Sequence, residues 1–339
     1  MEIVDNINHN SFLSIVIPTY NRARFLDYSL QIHVPLARLR NIQIFVSDNA
    51  STDDTKEIVN KWKCNYPLIS YYRSETNVGP DANIEHALKY PNTEYVWLLG
   101  DAYHIPEAGI KYVLDIAEAD KKYDAIVFNL TEKIYKIESK DYIDQNALLG
   151  DLGALMTCLS CLVFSRDLIK NANFSRYRNS SFIQTGIIFE SIASQPFAIH
   201  WVQSLSVRDL QNPILKKVNW SYSPNVLEVA CKRWCNFVFS LPVSYDPDMK
   251  LKCLLDFGKV SGLFQLKGLF MLKRLDRLNI KSYKIYSSYY KLTIDYPNFF
   301  LLVVSIAPRF IIKAMAIIVI LASGRNKFDT IRRIVKDEV

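Results

Sequence analysis

Apolar runs and helix-like stretches alternate along the first half of the chain. Four runs, mostly of β-branched and aromatic residues, end in polar loops: LSIVIP (13–18), IQIFVS (42–47), LISYYR (68–73) and EYVWLLG (94–100). Helical patterns lie between them, including DDTKEIVNKW (53–62) and PDANIEHALKY (80–90). Strands that are apolar at consecutive positions and separated by helices predict a mostly parallel sheet covered on both faces. Further strand candidates extend this sheet at 124–129, 161–165 and 198–202.

The polar loops after the first two strands are candidates for a binding site, because α/β sheets bind ligands beyond the carboxyl ends of their strands. In the loop PTYNR (18–22), Pro18 fixes a turn that lets the Tyr20 ring line a cleft. In SDNASTDDT (47–55), Asp48 sits at a strand end, where its carboxylate could accept N–H donors from a base ring. Helix capping explains the Ser, Thr and Asp that follow, but Asp48 lies too early to be that cap.

The third loop, SETNVGPDANIEHAL (74–88), turns into a helix at Gly79 and Pro80. The N-terminus of that helix, with Asn77 and Asn83 nearby, could face an anionic or ribose group. No Walker or Gly-x-Gly-x-x-Gly fingerprint occurs in the chain, which argues against a P-loop NTPase or a dinucleotide-binding protein.

The fourth loop follows the strand in LLGDAYHIPE (98–107). Asp101 leaves this apolar strand where its carboxylate would emerge into the cleft, and His104 follows within a turn. One carboxylate is a weak indication of a metal, whereas two oxygen ligands with diphosphate oxygens make a good Mg²⁺ or Mn²⁺ site.

The four loops together resemble the nucleotide-sugar half of a GT-A glycosyltransferase. The resemblance is carried by four motifs in family order and at family-like spacing: SIVIPTYNR (14–22), FVSDNASTDDT (45–55), NVGPDANIEHAL (77–88) and WLLGDAYHIP (97–106). They are similar to the large inverting family that contains the abequosyltransferase-like and other O-antigen and capsule sugar transferases. This resemblance implies an α/β, Rossmann-like GT-A fold.

The resemblance also implies roles for residues in these loops. Thr19 and Tyr20 would border the nucleotide base, Asp48 would bind its ring nitrogen, and the segment from Asn77 to Asn83 would approach the ribose and diphosphate. Nucleotide-sugar binding is therefore expected at Pro18, Thr19, Tyr20, Asn21, Asp48, Asn49, Asn77, Gly79, Asp81, Asn83 and Asp101.

A divalent metal, Mn²⁺ or Mg²⁺, is implied because Asp101 falls at the family's Asp-x-Asp motif. The sequence departs from that motif, since Ala102 and Tyr103 follow Asp101 in place of a second Asp. Three interpretations stay open. Asp101 binds the metal with diphosphate and water; His104 is a second ligand or a partner of the leaving group; or the protein binds without catalysing.

The implied reaction is a direct displacement at the anomeric carbon, in which a carboxylate removes the proton of the acceptor hydroxyl. In the resembled family, that base lies near an acidic pair that starts a helix after the sheet. The matching stretch here is FIQTGIIFESIAS (182–194), where Glu190 is the only acid. Asp151, in a loop predicted at 150–155, is a rival. Alternatively, Glu190 is a carboxylate at the edge of the core, paired with an Arg.

Composition and charge mainly affect what is predicted for the second half of the chain. Of the 339 residues 50% are hydrophobic, which excludes a disordered or low-complexity protein. The net charge of +7 is uneven, because residues 1–206 carry 19 Lys/Arg and 24 Asp/Glu, whereas residues 207–339 carry 22 and 10. A basic half suits nucleic acid or an anionic membrane surface. Six Cys behind a polar start without a signal-peptide pattern indicate a reducing cytosol.

The second half is predicted to be helical, at 226–241 and 249–278. Basic residues at near-helical spacing suit an anionic bilayer or an ordinary bundle helix: Lys267, Lys273, Arg274, Arg277, Lys281 and Lys284. The apolar segment 299–322 has the length to cross a bilayer, but Pro308, Arg309 and Lys313 interrupt it. We expect a broken helix in one leaflet or a re-entrant hairpin, with a buried core helix as the alternative.

These patterns predict a GT-A domain at 1–206, with a nucleotide-sugar half at 1–120 and an acceptor half at 121–206. A basic helical region at 207–295 and an apolar membrane-associating segment with a basic tail at 296–339 follow. The expected function is transfer of a sugar from a nucleotide-sugar donor to a lipid-linked glycan in bacterial surface polysaccharide synthesis. The expected location is the cytoplasmic face of the inner membrane, as a peripheral or monotopic protein.

Two other functions are weighed against this one. A catalytically silent sugar-nucleotide-binding membrane scaffold would explain the missing second Asp. A sugar nucleotidyltransferase has a related fold, but the Gly-rich first loop of that class is missing, since Pro18, Thr19 and Tyr20 stand in its place. A nucleic-acid partner is not expected, because the basic charges accompany a long apolar run.

Overall fold

A computed structural model of the chain describes residues 9–119, 121–212, 215, 220–311, 313–314 and 317. These residues divide into two compact units. The first unit contains the described residues up to 215 together with 241–246. The second contains the described residues of 220–240 and those from 247 onward.

The first unit is built on one large mixed sheet. Its strands in the described residues are β1 (Leu13–Thr19), β2 (Gln43–Asp48), β3 (Ile69–Arg73), β4 (Tyr95–Leu98), β5 (Tyr103–His104), β6 (Ala125–Leu130), β7 (Lys140–Tyr142), β8 (Leu162–Ser165) and β9 (Ile199–Asp209). The strand order is β3-β2-β1-β4-β8-β6-β9-β5, with β7 also paired to β9. Strands β1 to β4 are mutually parallel, and β8 runs antiparallel between β4 and β6. The prediction of a mostly parallel α/β sheet is confirmed.

Helices flank this sheet because its central strands are apolar on both faces. Leu13, Ile15 and Ile17 of β1 share a core with side chains of the first helix, and Val16, on the opposite face of the strand, is also buried. Burial of both sets requires cover on both faces. The helices of this unit in the described residues are α1 (Ala23–Arg38), α2 (Thr55–Asn65), α3 (Pro80–Lys89), α4 (Glu107–Glu118), α5 (Gln145–Leu152), α6 (Arg166–Asn171) and α7 (Ile183–Ser191).

Two boundaries differ from the prediction. Residue 206, the predicted end of the GT-A domain, lies inside β9, which runs to Asp209. The stretch 150–155, predicted as a loop, begins in α5, which ends at Leu152, so Asp151 lies in the last turn of a helix. Strands β5 and β7 were not predicted, because two or three residues are too few to show an alternating pattern.

The second unit is helical in its described residues, as its sequence pattern predicts. A π-helical turn at 228–233 leads into α8 (Trp234–Ser240), followed by α9 (Pro247–Ser261), α10 (Leu266–Arg274), α11 (Ile280–Thr293) and α12 (Asn298–Ile306). The predicted helical stretch 249–278 is broken at Gly262, whose φ of +73° ends α9 in the left-handed region that favours glycine. Trp234 stacks on Phe257 with ring centroids 4.9 Å apart and forms part of the core.

Half of the basic residues predicted to line a membrane surface are instead engaged within this unit. Lys273 is buried and donates to the carbonyl oxygen of Ser305 at 2.6 Å, and burial lowers the pKa of its amine. Arg274 is buried as well, and Arg277 donates to the carbonyl oxygen of Tyr222. The exposed members of the set are Lys267, Lys281 and Lys284.

The apolar segment is broken near Pro308, since α12 ends at Ile306 and the described chain is helical again from Arg309 to Ile311. No helix within the described ranges combines the length and the apolar character that a bilayer crossing requires. Most of 312–322 and the predicted basic tail lie outside the described residues.

Candidate functional site

The predicted site lies at the carboxyl ends of β1, β2 and β4, which we call the carboxyl edge. Strand register places Thr19 beside Asp48, and Asp48 beside Arg73. Leu99, just after β4, donates its N–H to the carbonyl oxygen of Val16. The residues that follow it, including Asp101, therefore lie at the same edge. The Thr19 hydroxyl donates to Asp101 Oδ2 at 3.4 Å. Three predicted site residues therefore lie in a row.

Asp48 is fully buried, with hydrogen-bond partners on both oxygens. Its Oδ1 accepts from the N–H of Ser51 at 2.9 Å, and its Oδ2 accepts from the Tyr71 hydroxyl at 2.6 Å. Burial, together with this bond to Asp48, raises the pKa of Tyr71. Arg73 Nε lies 3.5 Å from Oδ2, and its side chain is exposed. Because Asp48 has no exposed surface in this structure, a base ring would reach its carboxylate only if a side chain that covers it moved.

The loops after β1 and β2 are tied together by backbone-to-side-chain bonds. Asn21 donates its N–H to the Ser51 hydroxyl at 2.8 Å and accepts from the N–H of Thr52 at 2.7 Å. Asn21 and Ala50 have positive φ angles of 50° and 62°, a region that Asn tolerates better than most residues. Pro18 lies within β1, and Tyr20 carries an exposed ring. The two loops thus form one connected rim.

The loop after β3 joins the same rim through two amides. Asn49 Nδ2 donates to Asn77 Oδ1 at 2.9 Å, and Asn49 Oδ1 accepts from the N–H of Val78. Gly79 has a φ of +86°, and its N–H donates to Asn77 Oδ1. Because a side chain is strained at that φ, Gly79 permits the turn into α3. Asn77 stays exposed on the rim.

Two predicted donor-site residues are instead directed into the protein. The Asn83 amide is buried and bonds to the ends of β1 and β2, with its Nδ2 donating to the carbonyl oxygen of Ser47 at 3.0 Å. Asp81 is buried and accepts from the N–H of Ser181 at 2.9 Å. These contacts position the loops around the site.

Asp101 is held by Arg22, which the sequence motifs do not single out. Arg22 Nε lies 2.9 Å from Oδ1 and 2.7 Å from Oδ2 of Asp101. The Arg22 guanidinium carbon lies 4.2 Å from the centroid of the Phe25 ring. The only signal for Arg22 in the sequence is its place at the end of PTYNR, directly after the strand.

His104, the other predicted metal ligand, lies beside the buried His33. It lies in β5 opposite Arg208, and its ring centroid is 5.8 Å from that of His33. Burial, reinforced by Arg208, lowers the pKa of His104. In the part of the chain that the structure describes, no three His, Cys, Asp or Glu side chains cluster as metal ligands. With both Asp101 oxygens bonded to Arg22, this donor set does not fit Mg²⁺ or Mn²⁺.

Glu190, predicted as a base, lies seven residues into α7, about 10 Å along the helix from its start. Its Oε1 accepts from Arg176 Nη1 at 2.9 Å, and its Oε2 accepts from the Tyr177 hydroxyl at 2.7 Å. This is the Arg-paired environment that the alternative interpretation of Glu190 predicts.

Asp151, the rival base, lies away from the carboxyl edge. It accepts from the Tyr142 hydroxyl at 2.9 Å and lies 3.4 Å from Lys140 Nζ, both in β7. Tyr142 and Lys140 pair with Ile199 and Trp201 at the amino end of β9. Since β9 is parallel to β6, and β6 and β4 are both antiparallel to β8, this end lies at the opposite edge of the sheet.

The part of the chain that carries this site is similar to known proteins. Residues 14–177 match the family model described as Glycosyl transferase family 2. The abequosyltransferase RfbV of Salmonella typhimurium is 40% identical over 91 residues, which cover 26% of this chain and 27% of that protein. The GalNAc(5)-diNAcBac-PP-undecaprenol beta-1,3-glucosyltransferase of Campylobacter jejuni is 25% identical over 172 residues, covering 48% and 54%. The chain thus spans about a quarter to a half of these curated relatives.

A solved structure extends the likeness to the fold. The crystal structure of S. aureus TarS 1–349 in complex with UDP-GlcNAc aligns with a TM-score of 0.56 and 16% identity, over 83% of this chain and 81% of that one. This agrees with the parallel order of β3, β2, β1 and β4 and with the loops at their carboxyl ends. Residues 14–177 are therefore similar to glycosyl transferase family 2, and the first unit has the GT-A type of fold that the four motifs predict.

Proposed function

We propose that this chain transfers one sugar from a nucleotide-sugar donor to a lipid-linked glycan in bacterial surface polysaccharide synthesis. One observation carries the proposal: Thr19, Asp48 and Asp101 stand in a row at the carboxyl edge of a unit that is similar to glycosyl transferase family 2. The names of the relatives support it, since one is an abequosyltransferase and the other a glucosyltransferase named for an undecaprenol-linked glycan. We propose that the donor binds at the same edge, as the family resemblance implies.

In this proposal, the rim formed by the first three loops holds the nucleotide. The exposed Tyr20 ring offers a face for the base, and Arg73 is the exposed donor beside the buried Asp48 carboxylate. Asn49 and Asn77 present amides near the ribose. The Asp101–Arg22 pair lies at the end of the row, where the resemblance places the diphosphate.

The reaction proposed is an inverting displacement. The acceptor hydroxyl oxygen forms a bond to the anomeric carbon from one side, while the bond from that carbon to the diphosphate oxygen breaks on the other. Glu190 and Asp151 are the candidates for the base that takes the hydroxyl proton. Because Asp151 lies at the opposite edge of the sheet, Glu190 is the one to test first, although both of its oxygens already accept hydrogen bonds from Arg176 and Tyr177.

The membrane is proposed as the place where donor and acceptor meet. In the second unit, Phe299, Val303 and Ile306 are exposed at helical spacing on α12, and Phe310 is exposed beyond the break at Pro308; we call these four residues the α12 stripe. Basic residues outnumber acidic ones by 22 to 10 in 207–339, so an anionic lipid surface complements this half in charge. We place the protein at the cytoplasmic face of the inner membrane, as a peripheral or monotopic protein.

The decisive experiment is a transfer assay with the purified full chain. UDP-, GDP-, CDP- and dTDP-sugars are each supplied with undecaprenyl-diphosphate-linked glycans, and sugar incorporation and nucleoside diphosphate release are measured. Transfer with one donor supports the proposal. Tight donor binding without turnover on any acceptor supports the silent scaffold instead, whereas release of pyrophosphate from a sugar phosphate and a nucleoside triphosphate supports a nucleotidyltransferase.

A further inference from the structure

The contact between Arg22 and Asp101 occupies the position where the resemblance places a metal. Both carboxylate oxygens lie within 2.9 Å of one guanidinium nitrogen, so the charge that would attract a cation is already neutralised. Mg²⁺ keeps near-octahedral coordination by about six oxygens. The loop after β4 supplies no second carboxylate, because Ala102 and Tyr103 follow Asp101. A metal that binds both oxygens of Asp101 would have to displace the guanidinium.

While the Arg22 guanidinium binds Asp101 through Nε, its other N–H groups can still donate to a ligand. A guanidinium has five N–H donors, and the bonds to Asp101 use the one on Nε. Within the described ranges, Asp101 is the only polar partner of this side chain, so both Nη groups are left for a further acceptor. The Arg22 side chain is 34% exposed, whereas Asp101 is 9% exposed. Arg22 is therefore more accessible to a ligand than Asp101 is.

We propose that Arg22, held by Asp101, supplies the positive charge beside the leaving diphosphate, so that this chain transfers its sugar without a divalent metal. This inference rests on the proposed function. The two Nη groups match the bidentate geometry of phosphate oxygens. Asp101 then acts as the residue that positions the guanidinium.

The chemical step in this proposal balances without a metal. The acceptor hydroxyl oxygen bonds to the anomeric carbon, and its proton passes to a carboxylate base. The bond from the anomeric carbon to the β-phosphate oxygen breaks, and its electron pair stays on that oxygen, so the departing diphosphate gains one negative charge. A guanidinium fixed in advance by Asp101 and Phe25 stabilises that charge without reorganisation.

The test compares Arg22→Gln with a matched control that removes the same charge nearby. Arg24, two residues on, is exposed, and no ion pair or hydrogen bond of its side chain is found in the described chain, so Arg24→Gln is that control. UDP, GDP, CDP and dTDP are titrated calorimetrically into each protein, once with EDTA and once with Mn²⁺. Hydrolysis of the sugar donor whose nucleotide binds is then measured under both conditions.

We expect the wild type to bind and hydrolyse equally well with EDTA and with Mn²⁺. Arg22→Gln should lower affinity for the nucleoside diphosphate at least about tenfold and turnover by about 10²–10³-fold, the effect of losing one preorganised donor. Arg22→Lys keeps the positive charge but loses the planar pair of Nη donors. Its affinity and turnover should lie between those of the wild type and those of Arg22→Gln. Arg24→Gln should behave as the wild type. Chemical unfolding of each variant verifies that it is folded.

Two outcomes separate this inference from the proposed function. If nucleotide binding and turnover require Mn²⁺, or if Arg22→Gln equals the wild type, Arg22 is not the cation, although the transferase assignment stands. If no nucleoside diphosphate binds under either condition, the proposed function itself fails.

Discussion

Two hydrogen bonds join the Asn83 side chain to Ser47: the Asn83 amide donates to the Ser47 carbonyl oxygen at 3.0 Å, and the Ser47 hydroxyl donates to Asn83 Oδ1 at 2.8 Å. Asn83 belongs to α3, and Ser47 precedes Asp48 at the end of β2. A buried amide therefore fastens the helix to the strand end that presents the candidate base-binding carboxylate.

Removing the Asn83 amide should destabilise the domain. Asn83→Ala leaves the buried Ser47 hydroxyl and carbonyl oxygen without these partners, which costs about 1–3 kcal/mol. We expect the midpoint of urea unfolding to fall accordingly. Asn60→Ala, on the exposed face of α2, is the control and should be neutral or slightly stabilising. An unchanged midpoint for Asn83→Ala would show that the two bonds add no net stability.

Replacing Asp48 should impair nucleotide binding more than it impairs folding of the sheet. In Asp48→Asn, only the amide oxygen can accept a hydrogen bond, so the NH₂ group faces the donor of Ser51 or of Tyr71, and the attraction for Arg73 is lost. We expect at least about tenfold weaker binding of the nucleoside diphosphate in calorimetric titrations, the scale of one charge-assisted hydrogen bond.

The control for Asp48 is Asp167→Asn, which removes an exposed carboxylate in α6. It should leave the affinity unchanged. If Asp48→Asn is folded and binds the nucleotide as tightly as the wild type, Asp48 does not bind the base.

The sheet was predictable because β1, β2 and β4 are apolar over consecutive residues and end in polar loops. The same pattern located Asp48 and Asp101 at strand ends, and both lie at the carboxyl edge. The pairing of Arg22 with Asp101 was not predictable, because it joins residues 79 positions apart. Only the register of the strands brings such residues together.

The direction in which a side chain points was the second feature that could not be predicted from the sequence. Asn83 follows the turn at Gly79 closely enough to suggest a ligand contact, but the rotation of α3 points it at Ser47. Glu190 lies in an apolar helix, and its contacts with Arg176 and Tyr177 depend on how the segment before α7 folds. Helical periodicity gives the face of a residue and not its partner.

Glu190→Gln distinguishes a base from a structural ion pair. Both oxygens of Glu190 already accept hydrogen bonds from Arg176 and Tyr177, so we expect transfer to fall by less than about threefold. Loss of a general base usually costs 10²–10⁴-fold, and a drop of that size would establish Glu190 as the base instead. Glu118→Gln, at an exposed position of α4, controls for loss of an acidic charge.

The folding stability should depend on pH through His33, whose ring is fully buried. Its Nδ1 lies 2.7 Å from the carbonyl oxygen of Ser29, and its Nε2 accepts from the N–H of Ile105 at 3.1 Å. A second proton at Nε2 would therefore face an N–H donor. Burial, with a smaller effect of His104, lowers the pKa of His33 from 6.5 to about 4.

Because the unfolded chain binds this proton below pH 6.5 and the folded chain only near pH 4, the free energy of unfolding should fall as the pH drops between these values. The difference corresponds to about 3 kcal/mol across the window. Urea unfolding at several pH values measures it. His33→Gln should flatten this slope, whereas the exposed His9→Gln should not; equal slopes for wild type and His33→Gln would contradict the assignment.

Membrane binding should depend on the α12 stripe. Replacing Phe299 and Phe310 by Ser removes two exposed aromatic rings, and since burying each contributes about 1.5–3 kcal/mol, binding to phosphatidylglycerol vesicles should weaken at least about tenfold. Replacing Tyr135 and Ile143, equally exposed in the first unit, should leave vesicle binding intact. Co-sedimentation measures both double variants. Retained binding by the α12 variant would mean that another surface carries the attachment, while retained donor hydrolysis would show that its catalytic domain is unaffected.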